Sequence, residues 1–374
     1  MKYFIIAGEA SGDLHGANLM RGIKASDAQA SFRFFGGEEM SAVSDGLIKH
    51  YKKMAFMGFK SVLMNLGEIK RNFKLAEAEI QSFDPDVVIF IDYPGFNLRV
   101  AKIAKSLGYK TFYYISPKIW AWKEGRVKQI KQHVDKMFTI LPFETEFYKK
   151  HNYPVTFVGN PTVDELLYQK QWDRTTASFC KDNGLDDRPI IALLAGSRKQ
   201  EIQRLLPIMA KVSDHFKAFQ FVVGGAPSIS KELYDQCRDG ADITVVYGQT
   251  HELLKHAHSA VVASGTAALE AGVIGTPQVV CYKVEWGRFA SLLRKLFLKI
   301  PYFSLVNLIL GREAVKEIFQ EKCTVDNVRK ELELLIYDKK YRNNIEESYQ
   351  EMLNMLDGEN AGERAAKAII KNLS

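Results

Sequence analysis

The chain has 374 residues, of which 47% are hydrophobic and 25% charged, and a net charge of +7. That length exceeds one typical domain and suits two of roughly 150–200 residues each, and the composition is that of a folded globular protein rather than a disordered or fibrous one. No apolar run approaches the ~18–20 residues of a membrane span, and Tyr3–Ala7 is too short for the core of a signal peptide. The mild positive charge admits anionic substrates, nucleic acid or an anionic membrane surface. Cys180, Cys237, Cys281 and Cys323 are widely spaced with no Cys-x-x-Cys pair, so they read as reduced structural thiols of a cytosolic protein.

Strands and helices alternate from the first residue. Tyr3–Ala7 reads as a strand, and Gly8-Glu9-Ala10-Ser11-Gly12-Asp13 as the turn that opens a helix. Its glycine spacing is not the Gly-x-Gly-x-x-Gly of a dinucleotide fingerprint. Phe32–Phe35 follows, closed by Gly36-Gly37. Val87–Ile91 is a continuous apolar run, the mark of a parallel strand buried on both faces, and Asp92-Tyr93-Pro94-Gly95-Phe96-Asn97 comes directly after it. Lys110–Ile115, Lys136–Thr139 and Val155–Val158 complete the strands of the first half.

Gly159-Asn160-Pro161 breaks the rhythm, and a polar segment to Pro189 marks a domain boundary. The second half repeats the pattern with Ile190–Leu194, Phe219–Val223, Ile243–Tyr247, Ala260–Ala263 and Gln278–Tyr282 as strands, and turns wholly helical from Asp326. The expected fold is two Rossmann-like, doubly wound parallel-sheet domains facing across a cleft, residues 1–160 and 161–355, with a terminal helix, 356–374, crossing back to the first.

In open sheets of this kind ligands bind at the carboxyl ends of strands, and three loops there carry polar chemistry. Val261-Val262-Ala263-Ser264-Gly265-Thr266 reads as strand, tight turn and helix start, where exposed N–H groups and the helix dipole suit a phosphate. Glu270, four residues after Thr266, shares that helix face and suits a ribose diol. The plain alternative is an N-cap threonine on an ordinary helix. Ser197-Arg198 follows Ile190–Leu194. An arginine at a helix start opposes the dipole, which favours a bound anion over a merely solvated residue. Asp92 is a lone carboxylate after the most apolar strand, either a general base or an Asx-type cap on the Pro94-Gly95 turn. Glu9 and Asp13 are its rivals. His15, His251, His256 and His258 have no ligand-like grouping, so no metal is expected, and the arginine and helix dipoles can stabilise a leaving diphosphate instead.

Taken together, Gly8–Asp13, Asp92–Asn97, Ser116-Pro117 with Trp120-Ala121-Trp122, Gly196-Ser197-Arg198, Ala263-Ser264-Gly265-Thr266 with Glu270, and Ser304-Leu305-Val306-Asn307 with Gly311-Arg312-Glu313 resemble the lipid-A-disaccharide synthases, inverting glycosyltransferases of the GT-B fold. The resemblance runs nearly end to end. It implies transfer of 2,3-diacylglucosamine from UDP-2,3-diacylglucosamine to the 6-hydroxyl of 2,3-diacylglucosamine 1-phosphate, giving a β-1,6 disaccharide and UDP. It also implies Asp92 as the base, Ser197, Arg198, Ser264, Gly265, Thr266, Glu270 and Asn307 on the nucleotide side, and Glu9, Ser11, Asp13, Asn97 and Trp120 on the acceptor side. The UDP-sugar is a substrate, and no cofactor is expected. Ala195, Asn160 and Val306 depart from the residues usual at these places, Pro, His and Pro respectively, which touches loop rigidity rather than the proposed chemistry.

Acylated substrates need an apolar surface. Phe56, Met57, Phe59, Val62, Leu63 and Leu66, followed by Lys70, Arg71 and Lys74, form the expected membrane-facing segment, and residues 286–301 repeat the theme unless they pack as core. The protein is therefore expected on the cytoplasmic face of the inner membrane, peripherally bound and possessing a homodimeric option. The alternatives are a UDP-sugar 2-epimerase on the same fold and a non-catalytic nucleotide-sugar-binding module. Nucleic acid is not an expected partner, because the basic residues accompany aliphatic rather than stacking side chains.

Overall fold

The structure, a computed structural model, describes residues 1–54, 66–167, 174–283, 301–357 and 360–373. The chain divides into two compact units, Met1–Pro161 with Leu356–Ser374, and Thr162–Met355.

In the first unit β1 (Lys2–Ala7), β2 (Ser31–Gly36), β3 (Leu47–His50), β4 (Val87–Ile91), β5 (Thr111–Tyr114), β6 (Lys136–Thr139) and β7 (Thr156–Phe157) pair in parallel in the order β3-β2-β1-β4-β5-β6-β7. Alternate residues serve opposite faces, as a pleated strand requires. Tyr3, Ile5 and Ala7 pack with Leu19, Met20 and Ile23 of the helix Ala10–Ser26 and with Ala365, Ala366 and Ile369 of the last helix, Ala361–Lys371. Phe4, Ile6, Val88 and Phe90 pack on the other face with Ile80 of the helix Leu66–Phe83 and Val100 and Ala104 of the helix Pro94–Ser106. Each such large side chain contributes roughly 1.5–3 kcal/mol through burial, so all five residues of β4 are buried and apolar.

The chain's end thus belongs to the first sheet's core. Two close backbone approaches hold it there. A Cβ on Gly22 would lie 3.0 Å from both the Ala366 Cβ and the Glu363 Cα. One on Gly159, at φ +86°, would lie 2.3 Å from the Asp357 carbonyl oxygen.

In the second unit β8 (Ile190–Leu194), β9 (Gln220–Gly225), β10 (Thr244–Tyr247), β11 (Ala257–Ala263), β12 (Gln278–Tyr282) and β13 (Glu317–Phe319) also pair in parallel, in the order β10-β9-β8-β11-β12-β13. The edge strands β3 and β13 escape the sequence pattern. They are short and only partly buried, so neither shows the apolar run of an inner strand. The four cysteines are free and buried.

Each sheet has one place where strand order reverses, between β1 and β4 and between β8 and β11. At such switch points the loops diverge to opposite faces and leave a crevice beyond the strand ends. Asp92 follows β4 and Gly8-Glu9 follow β1, whose last residues pair as Ala7 with Ile91. Arg198 follows β8 and Ser264 follows β11, where Val262 pairs with Leu194.

Phe56, Met57, Phe59, Val62 and Leu63 lie outside the described residues, as do the side chain of Leu66 and residues 286–300. Lys70, Arg71 and Lys74 are exposed on the helix Leu66–Phe83. Among the described residues no helix is long and apolar enough to cross a membrane.

Candidate active site

At the first switch point Asp92 and Tyr93 are consecutive non-glycine residues in the left-handed region, with φ +41° and +48°. Each costs about 1–2 kcal/mol, and strain of this kind persists only where surrounding contacts over-determine it. They do so here. The Asp92 N–H donates to the Tyr114 carbonyl at 3.2 Å, and the Asp92 carbonyl accepts the Tyr113 hydroxyl at 2.5 Å and Asn97 Nδ2 at 2.7 Å. The Tyr93 hydroxyl donates to the Met54 carbonyl at 2.9 Å. The Tyr93 ring covers Gly8 so closely that a Cβ there would sit 2.2 Å from it. The Asp92 carboxyl is half-buried, and desolvation raises its pKa, opposed by the charge of Lys118 and a backbone N–H of Tyr93. A base raised in this way abstracts a hydroxyl proton more readily than an ordinary carboxylate.

The other residues expected on the acceptor side divide. Glu9 is half-buried and Ser11 exposed at the start of the helix Ala10–Ser26, and the Glu9 charge bears on the Tyr93 hydroxyl. Asp13 is 2% exposed, and its carboxylate accepts the N–H groups of Gly37, Glu39 and Met40 at 2.6, 3.0 and 3.1 Å. It thereby caps the short helix Glu38–Ser41 from the neighbouring helix. Asn97 is fully buried, and the two N–H groups of its Nδ2 are shared among three carbonyls, those of Ile6, Ile91 and Asp92. Trp120 is half-buried after β5, edge-on to Phe143, and its Nε1 donates to Glu144 at 3.2 Å. Glu144 is 1% exposed and also accepts the N–H groups of Ile140 and Leu141, and burial pushes its pKa up to about 7.

At the second switch point Gly196 has φ +105°, and a Cβ there would lie 2.4 Å from Glu201 Oε2. That carboxylate accepts the N–H groups of Ser197 and Arg198 at 3.2 and 3.4 Å, shaping the turn into the helix Lys199–Val212. The Arg198 side chain is 75% exposed and touches Glu201 only at 3.4 Å, so its fork is open to an anion. Arg198 and Glu201 both act electrostatically on the Tyr282 hydroxyl at the end of β12. In the sheet β11, which ends at the Ser264 turn, lies between β8 and β12.

Ser264 donates its N–H to the Cys281 carbonyl at 2.9 Å and its hydroxyl to the Phe303 carbonyl at 3.1 Å. Gly265 and Thr266 are exposed, and the helix Thr266–Ile274 starts without a side-chain cap. An uncapped helix start binds anions through its N–H groups and dipole. Glu270 is half-buried, with Oε2 3.5 Å from His251 Nε2, and that carboxylate raises the His251 pKa. His251 is therefore a neighbour of the proposed ribose carboxylate and not an isolated surface histidine.

The side-chain amide of Asn307 is engaged within the protein. Its Nδ2 donates to the Val315 carbonyl and Glu317 Oε1 at 2.8 and 2.9 Å, and its Oδ1 accepts the N–H groups of Ala314 and Val315 at 2.8 and 3.0 Å. Two donors and two lone pairs exhaust an amide. Glu317 in turn holds the N–H groups of Phe303 and Ser304, so Asn307 acts on the Ser264 turn through Glu317 and Phe303. Tyr113, Glu144 and Glu317 go unmarked in the sequence, because nothing in a strand tyrosine or in a helix or strand glutamate announces its partner. Among the described residues no three His, Cys, Asp or Glu side chains are grouped as metal ligands.

Two parallel doubly wound sheets with polar loops at both switch points define a class, the GT-B-like α/β proteins. Solved structures of this architecture include a UDP-bound structure of S. aureus MnaA, with TM-score 0.70 at 14% identity over 100% of this chain and 97% of that one. Another is the UDP-GlcNAc 2-epimerase of Neisseria meningitidis bound to UDP-GlcNAc, with TM-score 0.66 at 13% identity over 100% and 99%. A third is the glycotransferase of kitacinnamycin, with TM-score 0.64 at 13% identity over 100% and 99%. These likenesses show the fold. The family follows from sequence: the model for lipid-A-disaccharide synthetase matches residues 3–371. The lipid-A-disaccharide synthase of Trichlorobacter lovleyi is 36% identical over 99% of this chain and 97% of that protein, and the one from Myxococcus xanthus 37% identical over 100% and 97%. The chain belongs to the lipid-A-disaccharide synthase family, glycosyltransferases of lipid A biosynthesis.

Proposed function

We propose that the enzyme transfers 2,3-diacylglucosamine from its UDP derivative to the 6-hydroxyl of 2,3-diacylglucosamine 1-phosphate, with inversion and without a metal. The observation that carries the mechanism is the half-buried Asp92 carboxyl, raised by desolvation, on a strained turn at a switch point. Asp92 takes the proton of the acceptor hydroxyl as its oxygen attacks the anomeric carbon. The bond from that carbon to the diphosphate breaks, and UDP leaves with the electron pair. Attack opposite the leaving group turns an α-linked donor into a β-linked product. Charge growing on the leaving diphosphate is met by Arg198 and by the start of the helix Thr266–Ile274, and Glu270 takes the ribose diol.

The assay supplies both acylated substrates to the purified enzyme and reads the product by mass spectrometry and its anomeric linkage by NMR. Formation of the β-1,6 disaccharide 1-phosphate and UDP, undiminished by EDTA, is the expected result. Epimerisation of UDP-N-acetylglucosamine without an acceptor would count for the 2-epimerase reading, and loss of activity in EDTA against metal independence.

The acylated substrates also call for peripheral attachment to the cytoplasmic face of the membrane through Phe56–Leu66 and the basic residues after it. Replacing Val62, Leu63 and Leu66 with Ser removes roughly 1.5–3 kcal/mol of burial for each. Flotation with anionic vesicles should then fail while turnover on detergent-dispersed substrate survives. A triple variant that floats like the native protein would remove the segment from the membrane.

A further inference from the structure

The turn that carries Asp92 is bound more heavily than its role as a strand end needs. Two side chains from different elements converge on one acceptor, the Asp92 carbonyl oxygen: the Tyr113 hydroxyl from β5 at 2.5 Å and Asn97 Nδ2 from the following helix at 2.7 Å. Both donors are fully buried. Burial and the charge of Asp92 push the Tyr113 pKa well up, so the phenol stays a donor. The Asn97 amide is oriented by the Ile6 and Ile91 carbonyls at 3.3 and 3.1 Å, while among the described residues its own Oδ1 has no hydrogen-bond partner. Leaving a buried acceptor unsatisfied is unfavourable, and the side chain bears it to present its donors to the strand ends.

The peptide groups flanking Asp92 are therefore tied on both sides, to Tyr114 through its N–H and to Tyr113 and Asn97 through its carbonyl. With φ +41° and +48° at Asp92 and Tyr93, the turn has a conformation that persists only where such contacts hold it.

We propose that Tyr113 and Asn97 are positioning residues for the transfer reaction, locking the Asp92 peptide in its left-handed turn so that the carboxylate stays aimed and shielded. The inference rests on reading Asp92 as the base. The groups that act electrostatically on this carboxyl or its turn are Lys118 after β5, Tyr113 on β5, Tyr148 and Arg126 through Tyr113, and Glu9 through Tyr93.

The test compares Tyr113→Phe with Asp92→Asn and with Tyr153→Phe in the full-length enzyme. Tyr153 is a matched control, a buried tyrosine donating to the Val134 carbonyl at 2.9 Å. Loss of aim by a fraction of an ångström predicts that Tyr113→Phe lowers kcat about 10–100-fold with KM for both substrates within about twofold. The acid limb of its kcat/KM profile should move to lower pH, because water reaching the carboxylate relieves its desolvation. Tyr153→Phe should keep kcat within about twofold and the limb in place, even if its melting temperature falls as far. If Tyr113→Phe keeps native kcat and pH profile while Asp92→Asn loses about 100-fold or more, the positioning role is refuted and the base reading stands. Full turnover by Asp92→Asn instead overturns the base reading, and the inference with it. Should Tyr113→Phe not fold, Asn97→Ala beside Asn97→Ser decides the matter: the serine hydroxyl should restore part of the lost kcat, and equal kcat in the two refutes the role.

Discussion

Asn307→Ala separates a residue that touches nucleotide from one that holds the wall behind it. The substitution deletes four hydrogen bonds, three to backbone groups of Ala314 and Val315 and one to the Glu317 carboxylate, all made by a fully buried side chain. At about 1 kcal/mol for each neutral bond and about 1.5–3 for the charged one, with water entering partly to compensate, the loss is about 4 kcal/mol. For a unit of roughly 150–250 residues, where 1 kcal/mol shifts Tm by about 2–4 °C, the second unit should melt roughly 8–16 °C lower. UDP affinity, measured by calorimetry well below that melt, should fall only severalfold, because the Ser264 turn loses a brace and no direct contact. Differential scanning calorimetry with UDP titration reads both quantities. A variant with a native melt and UDP affinity lost about 50-fold or more would refute the reasoning and return Asn307 to the nucleotide.

Arg198→Ala should raise KM for the UDP-sugar and lower kcat together, since the leaving diphosphate gains charge in the transition state, and Lys should rescue only part because it lacks the bidentate fork. Unchanged steady-state kinetics would take Arg198 out of the site. Gly22→Leu should destabilise the first unit by about 1–3 kcal/mol or more, the cost of overpacking, because even a Cβ meets the last helix at 3.0 Å; urea denaturation checks this, and a native midpoint would deny the close crossing. Glu144 has its pKa raised from the ordinary 4.5 to about 7. The folded state therefore holds that proton more tightly than the unfolded one, so its contribution is full below about pH 4.5 and is lost as pH rises through about 7, amounting to up to about 3 kcal/mol. Urea midpoints at pH 5 and 8 should differ more in the native protein than in Glu144→Gln, and equal differences would exclude Glu144 as the source.

Much of the fold is legible in the residues because each inner strand repeats one physical demand. Val87–Ile91 and Ile190–Leu194 must be apolar on both faces, and the small or charged residues that follow must turn the chain. The polar loops at the carboxyl ends are placed by the same logic, so Asp92, Arg198 and the Ser264 turn stand out before any coordinates. What residue order leaves open is the partner of each polar atom. Asp13 and Asn307 read as ligand-facing groups, yet the Asp13 carboxylate is met by backbone N–H groups 24 to 27 residues away, and the Asn307 amide by backbone groups 7 and 8 residues away and the Glu317 carboxylate 10 residues away. His251 reads as an ordinary helix residue, yet it meets Glu270 across two helices. Tyr113 reads as a strand aromatic, yet its hydroxyl reaches the Asp92 carbonyl. Secondary structure follows periodicity that neighbouring residues share, so it is written locally. Hydrogen-bond satisfaction is settled by which strands and helices stand side by side, and only the folded sheet brings those donors and acceptors within reach.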